Sequence, residues 1–372
     1  MNRKQQITTA LLALSMVASL AACSGAQTPS PAEPASAPSA ADQTAAPAKE
    51  VPEVTTIRWA RANSGNIFVT LAQQKGYFEE VGLTIVENPV ANSTEALTSL
   101  GAKKVDVTSN QGTNNPLAQI VAGQDFTIVG GYMLQGMSLI AKKGTGWKGV
   151  EDLVGKRVAA PASTTTLTGP LLKAGHDISE VEWLTYPTNS DRLAAVKAGE
   201  ADYGYMSGDM LFTVKNMDDI EIVAYANDET LSPAYGCCRM NMRTEFVKSN
   251  PITVKLMLKA LIRAQAYFEA NKEECVSILA KEINASEDYV AAYLLDENYQ
   301  IAIDPMKNAV LNTWNIMLDT GFLPPEAENF DIESHINTEL YKTALDEVIA
   351  EHYNEYPEFF DGRLAFFEKY NR

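Results

Sequence analysis

A two-lobe α/β fold, with parallel-rich sheets flanked by helices and a helical C-terminal region, is predicted by three observations. The order β–polar turn–α–β–α–β occurs twice, once from Thr55 and again from Gly155. Strands alternating with helices argue for parallel sheets, and two copies argue for two similar lobes. Two stretches connect the copies, and nearly everything after Asn250 has a helical period.

The N-terminus is an address. Arg3 and Lys4 precede an apolar stretch, and Leu20-Ala21-Ala22-Cys23 closes it. The stretch is too short to span a bilayer and has the character of a secretory h-region. Its end resembles a bacterial lipobox, in which Cys23 would be lipidated; cleavage as an ordinary signal peptide is the alternative. Two acyl chains are what stable anchoring requires. Residues 1–22 are therefore expected to be a lipoprotein signal peptide. Residues 23–54 would be the lipidated Cys23 and a Pro/Ala/Ser tether, without aromatic residues and with nothing to bury. At about 3.1 Å per residue such a tether reaches roughly 90 Å.

In the first copy, residues 56–62 read as a strand and 66–82 as one helix stopped at Gly82, with Asn63 or Ser64 available to cap it. A strand ended by Pro89, a helix from Ser93 and a strand from Val105 follow. In the second copy, Gly155–Pro161 is a strand, and a helix ends at Gly175. A strand ended by Pro187, a helix from Ser190 and a strand at Asp202–Met206 complete it. The match reaches individual residues: Lys104-Val105-Asp106 stands beside Glu200-Ala201-Asp202. Crossings are expected near Lys143–Gly146 and Asn227–Ser232. That gives 55–143 as the first part of lobe I, 144–229 as lobe II, and 230–372 as the return to lobe I with the C-terminal helices. Two connections between two lobes make a hinge with a cleft.

Composition bounds the function. The chain has 372 residues, 46% hydrophobic and 21% charged, enough for a sizeable core. Lys+Arg 30 against Asp+Glu 47 gives a net charge of -17, which repels phosphate backbones and excludes nucleic acid as a partner. Four Cys, with no C-x-x-C, offer neither a disulfide framework nor a zinc ribbon. The His residues 176, 335 and 352 stand far apart, so no metal site and no cofactor are expected. Gly144–Gly149 matches G-x-G-x-x-G, but no acidic residue follows about 20 positions on. No G-x-S-x-G elbow accompanies a His, and catalytic residues are expected to be none.

The polar turns are the candidates for binding. Asn63, Ser64 and Asn66, and Ser163, Thr164 and Thr165, each follow a strand and open a helix. Helix N-termini with hydroxyls beside them form donor-rich pockets, and loops at the carboxyl ends of parallel strands line clefts. Plain N-capping is the alternative. Asn110, Gln111 and Thr113 follow the third strand of the first copy; Tyr205 and Met206 hold the equivalent place in the second. Gln135 and Ser138 lie where the chain prepares to cross, and Tyr235, Cys237 and Cys238 where it returns. Neighbouring Cα atoms sit about 3.8 Å apart, against roughly 4.4–6.8 Å for ordinary disulfides, so Cys237-Cys238 reads as a strained disulfide, a metal site without visible partners, or two reduced thiols. Arg61 and Arg239 are the nearby cations, and the rest of the lining is mostly neutral.

Gln74–Leu83 resembles the GYF-x-x-x-GL segment of the family joining nitrate, sulfonate and taurine binding proteins with thiamin-pyrimidine proteins (SsuA/THI5-like). Trp147–Ala159 is similar to its DLKGKKVAV stretch, and Ala198–Asp202 to its GEVDA turn. Gly236–Arg239 is similar to the Cys-rich stretch of the THI5 branch, with two cysteines instead of the longer cluster. The resemblance implies a type II periplasmic-binding-protein-like fold and the solute-binding role of an ABC importer, with permease and ATPase subunits as partners. A monomer, held outside the cytoplasmic membrane by its lipid, is expected. The ligand is expected to be a small organic anion or a nitrogen heterocycle, not a cation. A THI5-like pyrimidine synthase and a sensor without transport are the alternatives.

Overall fold

The structure, a computed structural model, describes residues 50–232 and 235–372. The expected signal peptide, the expected lipidation of Cys23 and most of the expected tether lie outside the described residues. Among the described residues no helix is long and apolar enough to cross a membrane.

Among the described residues twelve strands form the frame: β1 (Thr56–Arg61), β2 (Thr84–Pro89), β3 (Val107–Thr108), β4 (Phe126–Gly131), β5 (Met133–Gln135), β6 (Met137–Lys142), β7 (Arg157–Ala159), β8 (Glu182–Trp183), β9 (Tyr203–Ser207), β10 (Ile220–Tyr225), β11 (Arg239–Arg243) and β12 (Gln300–Ile301). One sheet has the order β2-β1-β3-β11-β4, another β10-β6-β9-β7-β8, and β12 pairs with β5. In each large sheet the strands of the repeated unit are parallel; one strand from outside it, β11 or β6, is inserted antiparallel, and β4 or β10 at the edge pairs antiparallel with that strand. The crossover helices bury one apolar stripe each. Helix Ile67–Gln74 hides Ile67, Phe68, Leu71 and Ala72 against Trp59 and the long helix Pro251–Ala270.

The same clamp stitches both sheets. Arg58 donates its backbone N–H (2.9 Å), Nε (2.9 Å) and Nη2 (2.6 Å) to the Asp106 carboxylate. Arg157 does the same to Asp202, at 2.9, 3.2 and 2.8 Å. Each clamp joins the first strand of its unit to the residue that opens the third.

Three details depart from the sequence expectation. The expected helix 66–82 breaks at Gly76, whose φ of +75° suits glycine, and resumes over Tyr77–Glu80. A helix at Asn114–Val121 replaces the expected end of a polar loop. The first crossing comes before β6, at Gly136, not near Lys143–Gly146, because β6 pairs with β9 and β10 and so belongs to the second sheet. Gly136 has φ +148°, and a Cβ there would meet the Tyr299 ring at 2.6 Å. The two crossings run side by side: the N–H groups of Cys237 and Cys238 bond to the carbonyls of Leu134 (3.2 Å) and Met133 (2.8 Å).

Candidate functional site

Loops at the carboxyl ends of the parallel strands converge from both sheets on a cavity of about 430 Å³. Known small-molecule sites span roughly 300–1,000 Å³. Four helices open beside it, at Ser93, Asn114, Thr165 and Asn189. Their unpaired N–H groups give the wall a positive bias.

Ten of the residues singled out from the sequence lie in this wall: Ser64, Asn110, Gln111, Thr113, Ser163, Thr164, Tyr205, Tyr235, Cys237 and Cys238. Six do not. Asn63 stands exposed in its turn. Asn66 is consumed as an N-cap, accepting from Phe68 N (3.0 Å) and Val69 N (3.4 Å) and donating to Ser109 Oγ (3.0 Å). Gln135 braces the return crossing through Ser232 O (3.1 Å) and Tyr235 O (3.4 Å). Ser138 and Met206 face each other in the β6–β9 ladder, Met206 inside an apolar core. Thr165 turns toward a second, larger cavity of about 910 Å³ on the other side of helix Thr165–Lys173, lined by exposed chain around Lys173, Glu229 and Asp319.

The two arginines named from the sequence serve the framework instead. Arg239 is fully buried and donates to Asp304 O (2.8 Å), Pro305 O (3.1 Å) and Met133 O (3.0 Å). Arg61 pairs with Glu87 (3.0 Å) and Glu282 (3.2 Å). The cation at the cavity is Arg192, in the opening turn of helix Asn189–Ala198. Its position corresponds to the stretch around Ser93 in the first copy, which also lines the cavity, so the repeat carried a signal for it.

Sequence reasoning also missed Asp209, Tyr293 and Tyr299. Arg192 and Asp209 are linked only through neutral groups. Arg192 Nη1 donates to Tyr205 O (3.0 Å) and Asn189 Oδ1 (3.5 Å); Asn189 Nδ2 donates to Ser207 Oγ (2.5 Å), which donates to Asp209. Burial lowers the Arg192 pKa and raises that of Asp209, as expected for charges withdrawn from water without an opposite charge in contact. The lining is mostly neutral, with one guanidinium, one carboxylate and the rings of Tyr293 and Tyr299 added to what the sequence revealed. Arg192 Nε, Gln111 Nε2 and Tyr293 Oη are buried there without a hydrogen-bond partner among the described residues. Native structures leave few such groups unpaired.

Two contacts join segments of the two sheets. Asn114 Nδ2 donates to Ser163 O (2.6 Å) in the cavity wall, and Lys215 Nζ, outside that wall, reaches Asp296 Oδ2 at 2.6 Å.

A protein-family model described as "NMT1/THI5 like" matches residues 63–275. A Brucella abortus protein described as a binding protein is 25% identical over 222 residues, 58% of this chain and 67% of that protein. Among solved structures, the periplasmic aliphatic sulphonate binding protein SsuA from Escherichia coli is similar at a TM-score of 0.64 and 19% identity, over 77% of this chain and 92% of that one. The desulfurization enzyme DSZB is similar at a TM-score of 0.56 and 13% identity, over 79% of this chain and 99% of that one. At such identities the likeness is one of fold, and that fold carries both a binder and an enzyme.

Proposed function

The chain belongs to the NMT1/THI5-like family, and from that premise we propose that it is the extracytoplasmic solute-binding component of an ABC importer. It captures one small organic molecule in the cavity between its sheets and presents it to a permease and its ATPase. It acts as a monomer, held to the membrane through Cys23. Binding rather than catalysis is its task, and the secretory N-terminus argues against a THI5-like synthase.

One observation carries the ligand reading: Arg192 and Asp209 line the same cavity without pairing with each other. Arg192, Gln111 and the helix openings take the anionic or acceptor-rich end of the solute. Asp209 takes an N–H. Within the class expected from the sequence, this favours a small organic anion that also bears an N–H, or a nitrogen heterocycle with donor and acceptor edges. A bare cation would face Arg192 unpaired. Ser64, Asn110, Thr113, Ser163, Thr164, Tyr205 and Tyr235 complete the proposed contacts.

Mass spectrometry of what co-purifies, followed by a thermal-shift screen, tests this. The true solute at a hundredfold excess over Kd stabilises by about 2.7 kcal/mol. Stabilisation by polyamines or divalent cations alone would overturn the ligand reading. For the anchor, Cys23→Ser should abolish acylation and release the protein or leave it unprocessed; unchanged membrane retention would contradict it. Permease and ATPase genes beside this one separate an importer from a sensor.

A further inference from the structure

Cys237 and Cys238 are consecutive, yet both line the cavity wall. In a strand, consecutive side chains point to opposite faces. This pair sits instead in the return crossing, just before β11, where Thr113 Oγ1 holds the carbonyls of Gly236 (2.5 Å) and Cys237 (3.1 Å). Both thiols are free, nearly buried, and 3.7 Å apart.

That separation discriminates among sulfur chemistries. A disulfide needs about 2.05 Å. Two bonds of about 2.3 Å meeting at a pyramidal three-coordinate centre, at an angle of roughly 95–105°, leave their sulfurs about 3.4–3.6 Å apart, which the two thiols reach by closing a few tenths of an ångström. The same bonds to a linear two-coordinate centre would need roughly 4.6 Å. The pair is therefore spaced for one bent, soft centre. A structural metal would want further ligands, and among the described residues no group of three His, Cys, Asp or Glu could hold one. A centre that brings its own third substituent needs only the two sulfurs.

We propose that Cys237 and Cys238 form a two-thiol clamp in the cavity wall for a trivalent organoarsenical. The reaction is an exchange without oxidation. Each thiol sulfur displaces one hydroxyl from R–As(OH)2, two As–O bonds break, two As–S bonds form, and the two thiol protons leave with the hydroxyls as two waters. The shared hydrogen bond with Cys237 and the Gly112 N–H favour the Cys238 thiolate, which attacks first. Arg239, directly behind, adds positive charge.

Phenylarsine oxide added to the reduced full chain tests the clamp by intact mass. One adduct per chain is expected, stable to an excess of a monothiol and removed by a dithiol. It should be lost in both Cys237→Ser and Cys238→Ser and retained in Cys275→Ser, with all three variants melting as cooperatively as the parent. No adduct on the parent chain, an adduct that a monothiol strips, or one that survives in either single variant would overturn the proposal. None of these readouts uses the imported solute, so the clamp and the proposed transport function stand or fall separately.

Discussion

The two large sheets are stitched by the same arginine–aspartate clamp, and the clamps differ in what covers them. In the first sheet Asp106 is 4% exposed and Arg243, arriving on β11, adds a second set of bonds: to Asp106 (3.0 Å), Leu100 O (3.1 Å) and Val105 O (2.5 Å). In the second sheet Asp202 is 35% exposed and has Arg157 alone. The repeated unit thus supplies the same local solution twice, and the returning chain converts only the first into a buried node. The second sheet spends its charge differently, placing Arg192 and Asp209 at the cavity while the first sheet's loops offer amides and hydroxyls.

The largest test of this asymmetry is Asp106→Asn. Breaking a buried pair costs about 3–5 kcal/mol, and the partial exposure of Arg58 places this one near the low end. Chemical denaturation should show a large loss of stability there and a much smaller one for Asp202→Asn. Equal losses would mean that burial by β11 contributes nothing.

A binding comparison comes next. Arg192→Gln should weaken the co-purifying solute by about tenfold or more, since hydrogen bonds to charged groups contribute about 1.5–3 kcal/mol. Asn110→Ala, on the first sheet's side, should cost less. Titration calorimetry with that solute ranks them, and the reverse order would move the ligand's anchor to the other wall.

Acid behaviour sharpens the contrast. Burial pushes the Asp106 carboxyl up, but the Arg58 and Arg243 bonds outweigh it and hold its pKa below the ordinary value. A carboxylate with a depressed folded-state pKa stabilises above its unfolded value of about 3.9, and that stability is lost as pH falls through the folded value. Asp202 is lowered too, chiefly by its Arg157 bonds. The loss of stability below about pH 4 should therefore be shallower in Asp106→Asn than in the parent chain, when unfolding is followed across pH.

The smallest expected effect is at the Lys215–Asp296 pair. Lys215 is 44% exposed, so its pair with Asp296 contributes at most about 1 kcal/mol. Lys215→Ala should enlarge the radius of gyration without solute and leave it unchanged at saturation. A scattering profile identical to the parent's in both states would remove this contact from any role in closure.

Some of these features were legible early. The Ser93 and Ser190 stretches and the Asp106/Asp202 match announced the repeat, because strand and helix periods and turn residues are short-range signals. The helix at Asn114–Val121 was not, because Asn114, Asn115 and Pro116 carry a loop composition; Pro116 is tolerated in an opening turn, where its missing N–H has no intrahelical partner. The crossing at Gly136 was hidden because β6 looks the same whether it closes one sheet or centres the next.

The sequence by itself determined the order of the units and the polar openings of the helices, since each depends on residues a few positions apart. Tertiary structure alone decided which charges reach the cavity. Arg239 reads as a cleft residue until three carbonyls from distant segments enclose it, and Tyr293 and Tyr299 join Arg192 and Asp209 at the cavity only because the chain returns after β11. Which way a long polar side chain points is set by the hydrogen-bond partners that packing brings to it, and those partners lie up to a hundred or more positions away.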